Sequence, residues 1–173
     1  MNIETVEALK LAIESEKRSL MKYLEFAIRN EDIRGKNIFI MLARDEFNHY
    51  EHLNQLFKIF VTNDDHSLIT TLPSSEVEKL VPTLKKYESS KKVSLSLKEE
   101  QVINIALNLE DEAKTFYLEQ YRKAKNSHTK DIWKGLADIE ESHYQLLISQ
   151  TFYLKELAYW HNIKEFSLEI SED

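Results

Sequence analysis

The stretch Leu42-Ala43-Arg44-Asp45-Glu46-Phe47-Asn48-His49-Tyr50-Glu51-His52-Leu53 decides the fold, because its framework returns later in the chain. Leu42, Ala43, Glu46, His49, Tyr50 and Leu53 recur as Leu136, Ala137, Glu140, His143, Tyr144 and Leu147, each at an offset of 94. Residues three and four apart lie on one face of a helix, so each copy places its glutamate and histidine on the same stripe as its leucines. The stripe continues outward through Phe39, Leu56 and Phe60 in the first copy, and through Trp133 and Leu154 in the second. Apolar side chains at this spacing mark helices buried along one side. The offset also reaches back across the preceding turn without a gap. Ala12, Glu16, Tyr23, Leu24 and Glu25 reappear as Ala106, Glu110, Tyr117, Leu118 and Glu119.

The spacing predicts four long helices, at roughly 4–29, 36–60, 98–125 and 130–161. Short turns at Asn30–Gly35 and Asn126–Thr129 make each consecutive pair an antiparallel hairpin. Between 61 and 97 the rhythm fails. Both prolines, Pro73 and Pro82, fall there, with several serines and a lysine-rich run from Lys85 to Lys92. A connection this long can return the chain to its starting end, with a short helix of its own over Ser75–Tyr87. The expected fold is a single all-α domain over 1–173. Hairpin 1 covers about 4–60, the crossover 61–97, hairpin 2 about 98–161 and a tail 162–173.

Composition supports this reading and excludes others. Two glycines and two prolines in 173 residues cannot supply the turns of an all-β fold. The net charge of −7, with both signs interspersed, leaves no basic stripe to follow a nucleic-acid backbone. No apolar run approaches the ~20 residues of a membrane span. Met1-Asn2-Ile3-Glu4 lacks the basic start and apolar stretch of a signal peptide, so the expected location is the cytoplasm. With no cysteine, any metal must be held by oxygen and nitrogen.

Those ligands are at hand. Glu46, His49, Glu140 and His143 interrupt apolar stripes, as do Glu16 between Ile13 and Leu20, and Glu110 between Leu107 and Tyr117. Burying a carboxylate without a partner costs several kcal/mol. Lys114 is the one inward basic candidate and can pair with one carboxylate at most, whereas two divalent cations would balance four. Singly, a Glu-x-x-His motif is an ordinary surface pair, and a lone glutamate is a solvated helix residue. The common register of both motifs, both further glutamates and both tyrosines argues against coincidence. Tyr23 and Tyr117 are either core tyrosines or groups that hydrogen-bond a ligand carboxylate or relay an electron. Asp45 reads first as a solvated aspartate, with the orienting of a histidine as its functional alternative. His52 has Leu146 as its repeat partner and reads as peripheral. His66, His128 and His161 read as surface residues.

The constellation resembles the ferritin-like diiron-carboxylate superfamily, and within it the rubrerythrin-related proteins. It is carried by Glu16 with Tyr23, Glu46-Phe47-Asn48-His49, Glu110 with Tyr117, and Glu140-Glu141-Ser142-His143. The resemblance implies a ferritin-like four-helix bundle with two iron ions. In it Glu16 and His49 hold one metal, Glu110 and His143 the other, and Glu46 and Glu140 bridge; manganese or zinc would also suit such ligands. Two departures stand out. Rubrerythrins usually append a four-cysteine rubredoxin-like domain, which a chain without cysteine cannot form. They also carry a further ligand glutamate one turn along the third helix, where this chain has Leu107, Ala113 and Lys114. The expected function is a diiron oxidoreductase, a rubrerythrin-like peroxidase or oxidase acting on hydrogen peroxide or dioxygen. It would be fed by an external electron donor such as a rubredoxin-type protein. Ferritin-like iron binding with a ferroxidase step is the first alternative, and a structural bundle with an incidental metal the second. Apolar residues on more than one helix face predict a homodimer.

Overall fold

The structure, a computed structural model, describes residues 3–62, Val77 and residues 97–157. Among these are four helices and no strand: α1 (Ile3–Arg29), α2 (Ile33–Thr62), α3 (Leu97–Lys123) and α4 (Ser127–Leu157). The chain is an all-α, ferritin-like four-helix bundle. No described helix is long and apolar enough to cross a membrane. The expected crossover at 61–97, its short helix at 75–87 and the tail at 162–173 lie outside the described residues, apart from Val61, Thr62, Val77 and Leu97.

Both turns are tighter than the spacing predicts, for one physical reason. The first backbone N–H groups of a helix have no partner within it, and a side-chain oxygen just ahead can accept from them. Asp32 Oδ1 accepts from the Arg34 amide at 2.8 Å, and Asn126 Oδ1 accepts from the His128 amide at 2.8 Å. Helices α2 and α4 therefore each begin three residues before the predicted start. The two capping residues are themselves repeat mates. The preceding helices end alike, with Asn30 N donating to Phe26 O at 3.0 Å and Ala124 N to Gln120 O at 2.9 Å. The repeat thus governs the turns as well as the helix faces.

Helix α1 packs against α2, α3 against α4, and α1 also meets α3. Tyr23 touches Glu110 while Tyr117 touches Glu16, so α1 and α3 run antiparallel. Helices α2 and α4 do the same, with His49 nearing Glu140 and His143 nearing Glu46. Arg18 reaches Glu112, its own repeat mate, at 3.5 Å. The His49 and His143 rings stack with centroids 5.6 Å apart and 16° between their planes. A residue can contact its repeat mate only at an axis of pseudo-twofold symmetry, and this axis passes through the middle of the bundle.

Two apolar cores lie on either side of that middle. One gathers Tyr23, Phe39, Leu42, Ala106 and Leu147; the other gathers Tyr117, Trp133, Leu136, Ala12 and Leu53. These are mates, exchanged between the clusters by the repeat. Each fully buried large side chain contributes about 1.5–3 kcal/mol. The two cores so stabilise a bundle whose centre is polar.

Candidate metal centre

At that centre Glu16, Glu46, His49, Glu110, Glu140 and His143 are all buried, none more than 2% exposed. Glu16 comes from α1, Glu46 and His49 from α2, Glu110 from α3, and Glu140 and His143 from α4. All six residues singled out as ligand candidates are thus brought together. His49 Nδ1 lies 3.3 Å from Glu16 Oε2, 3.2 Å from Glu46 Oε2 and 3.8 Å from Glu140 Oε1. His143 Nδ1 lies 3.2 Å from Glu46 Oε1 and 3.4 Å from both Glu110 Oε2 and Glu140 Oε2. Each nitrogen carries at most one proton yet faces three carboxylate oxygens. Hydrogen bonding cannot satisfy that arrangement, but a shared cation can. Two atoms each about 2.1 Å from one ion, at near-tetrahedral to octahedral angles, stand about 3.0–3.4 Å apart.

The ligand atoms form two quartets, Glu16, Glu46, His49 and Glu140, and Glu46, Glu110, Glu140 and His143. Within each the donor atoms lie within 4.8 Å of one another, and Glu46 and Glu140 belong to both. Glu46 Oε1, Glu140 Oε1 and His143 Nδ1 are buried with no hydrogen-bond partner among the described residues. Buried polar atoms are rarely left so, and here they converge on the positions a metal pair would occupy. The donor set fits a di-metal site.

The electrostatics of the cluster follow from its burial and from the mutual repulsion of its carboxylates. Burial, then the charge of Glu46, pushes Glu16 up from 4.5 to about 8. Burial, then the charges of Glu16 and Glu110, holds Glu140 well above the usual carboxylate range. Burial opposes the charging of His49 and His143, but the surrounding carboxylates outweigh it and raise both well above the ordinary imidazole value. Glu46 is drawn down: burial and Glu140 push it up, and hydrogen bonding with Glu16 together with the charge of His143 prevails.

Lys114 does not help. Its Nζ lies 2.9 Å from Asp111 and 3.1 Å from Glu141, over the Tyr144 ring, so it pairs at the rim and reaches no core carboxylate. Among the described residues no lysine or arginine contacts the four glutamates.

The two tyrosines are fully buried and cross-linked by symmetry. Tyr23 OH donates to Glu110 Oε1, and Tyr117 OH donates to Glu16 Oε1. Behind them Tyr23 stacks on Phe39 at 6.1 Å and Tyr117 on Trp133 at 5.8 Å, again repeat mates. Each ring is thereby fixed, and each hydroxyl holds one carboxylate oxygen in place.

Two residues depart from their sequence reading. Asp45, expected to be solvated, is 1% exposed, with Oδ2 3.5 Å from His143 Nε2 and accepting from the Val77 amide at 3.4 Å. His52, expected to be peripheral, is 7% exposed, and burial, then the charge of His49, lowers its pKa. Both share a second stripe with Met41, at steps of four and seven, and this stripe is buried as well. The signal was in the sequence, but a single apolar stripe per helix understates how much of α2 is enclosed. His128 is exposed, as expected, whereas His66 and His161 lie outside the described residues.

A family model described as Rubrerythrin matches residues 7–149. No match was found among curated proteins or among solved structures.

Proposed function

Because this chain belongs to the rubrerythrin family, we propose that its buried cluster holds two iron ions and reduces hydrogen peroxide or dioxygen. The observation that carries the reading is the pair of quartets sharing Glu46 and Glu140, each with one imidazole nitrogen facing three carboxylates. Glu16 and His49 would hold one ion, Glu110 and His143 the other, and the shared glutamates would bridge. When reduced, such a pair supplies one electron from each ion to an O–O bond and neutralises the charge that develops on the oxygens. Manganese or zinc would fit the same donors, and zinc would supply no electrons.

The chain's own residues set the conditions. Leu42, Leu53, Leu136 and Leu147 flank the cluster and keep bulk water from the reacting atoms. Tyr23 and Tyr117 hold Glu110 and Glu16 through their hydroxyls, so those carboxylates keep their direction when the charge between them changes. The same hydroxyls each direct a proton into the cluster.

Reduction of peroxide to two waters consumes two electrons and two protons, and a diferrous pair holds two electrons. The chain has no cysteine to carry a rubredoxin-like iron. Electrons for further cycles are proposed to come from a separate donor of the rubredoxin type. The reduced protein alone is expected to consume about one peroxide per metal pair and then stop, and the added donor restores turnover. Stopped-flow absorbance of the oxidised product against peroxide consumed tests this. Sustained consumption without any reductant would mean dismutation, and no reaction at all would favour iron binding without redox chemistry.

The protein is also proposed to act as a homodimer through hairpin 1. Met21, Leu24 and Ile28 on α1 and Ile33, Ile40 and Phe47 on α2 are exposed. Their repeat mates in hairpin 2 are Thr115, Leu118, Arg122, Ser127, Lys134 and Glu141, only one of them apolar. Both hairpins share one core design, so this difference belongs to the outside. Six such side chains present on the order of 500 Å² of apolar surface, over half of the ~800 Å² each partner buries in a stable complex. An antiparallel hairpin offers such a face to a second copy in self-complementary fashion. Light scattering should give a dimer for the native chain and a monomer for Phe47→Glu with Ile40→Glu, both retaining helicity. A native monomer, a hollow shell, or a double variant that stays dimeric would each refute this interface.

A further inference from the structure

The pseudo-twofold repeat makes the two halves of the centre nearly interchangeable, so any residue that breaks it in contact with a ligand sets the metal positions apart. Asp45 is such a residue. Nδ1 of His143 faces the carboxylates of its quartet, which leaves Nε2 directed away, buried without a hydrogen-bond partner among the described residues, with Asp45 Oδ2 the nearby carboxylate oxygen at 3.5 Å. The Val77 amide donates to the same oxygen at 3.4 Å. The repeat mate of Asp45 is Ile139, itself 2% exposed. Among the described residues, the contacts of His49 with carboxylates all run through Nδ1. One histidine thus has a carboxylate near its second nitrogen, whereas the repeat position of that carboxylate is a buried isoleucine.

A carboxylate behind a ligating imidazole fixes its tautomer and ring direction and makes the facing nitrogen a stronger donor. We propose that Asp45 makes the two metal positions unequal, so that the ion beside His143 binds first and more tightly than the ion beside His49. Asp45 is here a positioning residue, since it touches a ligand and not the metal. The inference rests on the di-metal reading above and concerns the order of filling, which that reading leaves open.

The test uses manganese(II) or zinc(II), so no turnover enters the measurement. Calorimetric titration of the metal-free chain should resolve two binding steps. Asp45→Asn keeps the shape and removes the charge, and should weaken the tighter step by about ten- to a hundredfold while the second changes little. Ile139→Asp places a carboxylate at the repeat position of Asp45 and should strengthen the weaker step, bringing the two together. His143→Ala should abolish the tight step, and His49→Ala the weak one. Circular dichroism of each metal-free variant shows whether it is folded, and Ile139→Asp and the histidine variants keep the test open should Asp45→Asn fail to fold. Absence of any binding to the native chain would end the di-metal reading itself. Two ions bound with equal affinity, or an Asp45→Asn variant with the native constants, would overturn the asymmetry alone.

Discussion

Replacing Glu140 with glutamine is expected to lower the metal content of the purified protein from about two ions per chain to well under one. Glu140 belongs to both quartets, so its loss removes a donor from each position together. Glu46→Gln should act alike. Glu16→Gln or Glu110→Gln removes a donor from one quartet only and should leave about one ion bound. Stability should move the other way in the metal-free state. Glu140 is held well above the usual carboxylate range by burial and by the charges of Glu16 and Glu110, so the native chain must find a proton for it. Glutamine needs none. Metal-free Glu140→Gln should therefore melt higher than the metal-free native chain, although it binds less metal. Elemental analysis together with melting curves separates the two effects. A variant retaining both ions would show that the shared carboxylate is not a bridge.

Stripping the metal with a chelator should lower the melting temperature at pH near 8 by about 10 °C or more. A ligand present at a thousand times its dissociation constant stabilises by about 4 kcal/mol, and each kcal/mol moves the midpoint of a chain this size by about 2–4 °C. The gap should narrow on acidification. In the metal-free fold Glu16 titrates near about 8 instead of 4.5, and Glu140, His49 and His143 are raised as well. A group whose folded-state pKa lies above its unfolded value stabilises the fold fully below that unfolded value. Its contribution is lost as pH rises through the folded one. For Glu16 the window runs from 4.5 to about 8. Glu46, drawn downward, opposes this but is one group against four. The metal-free protein should thus gain stability from pH 8 towards pH 5. The loaded protein gains less, because protons compete with the metal for the same oxygens. Parallel melting curves across that range would contradict a buried carboxylate cluster.

The sequence by itself determined the helices, their pairing and the faces they bury. Apolar spacing is a local property, and a 94-residue repeat that keeps its register across a turn leaves little freedom in how two hairpins are built. The burial of Glu16, Glu46, Glu110 and Glu140 followed from the same spacing, since a carboxylate between inward leucines has nowhere else to point. Helix starts were less legible, because Asp32 and Asn126 act through one hydrogen bond each and leave no periodic trace. What only the tertiary structure decided is which groups meet across helices. That each tyrosine reaches the other hairpin's glutamate depends on the antiparallel crossing of α1 and α3, which no single-helix pattern encodes. Lys114 turned to Asp111 and Glu141 because those carboxylates lie nearer the rim, where its charge stays partly hydrated. Asp45 was buried not by its own helix but by α4 and Val77 closing over a second side of α2. Local periodicity fixes which way a residue faces, whereas distance, charge and enclosure arise only once the helices are packed.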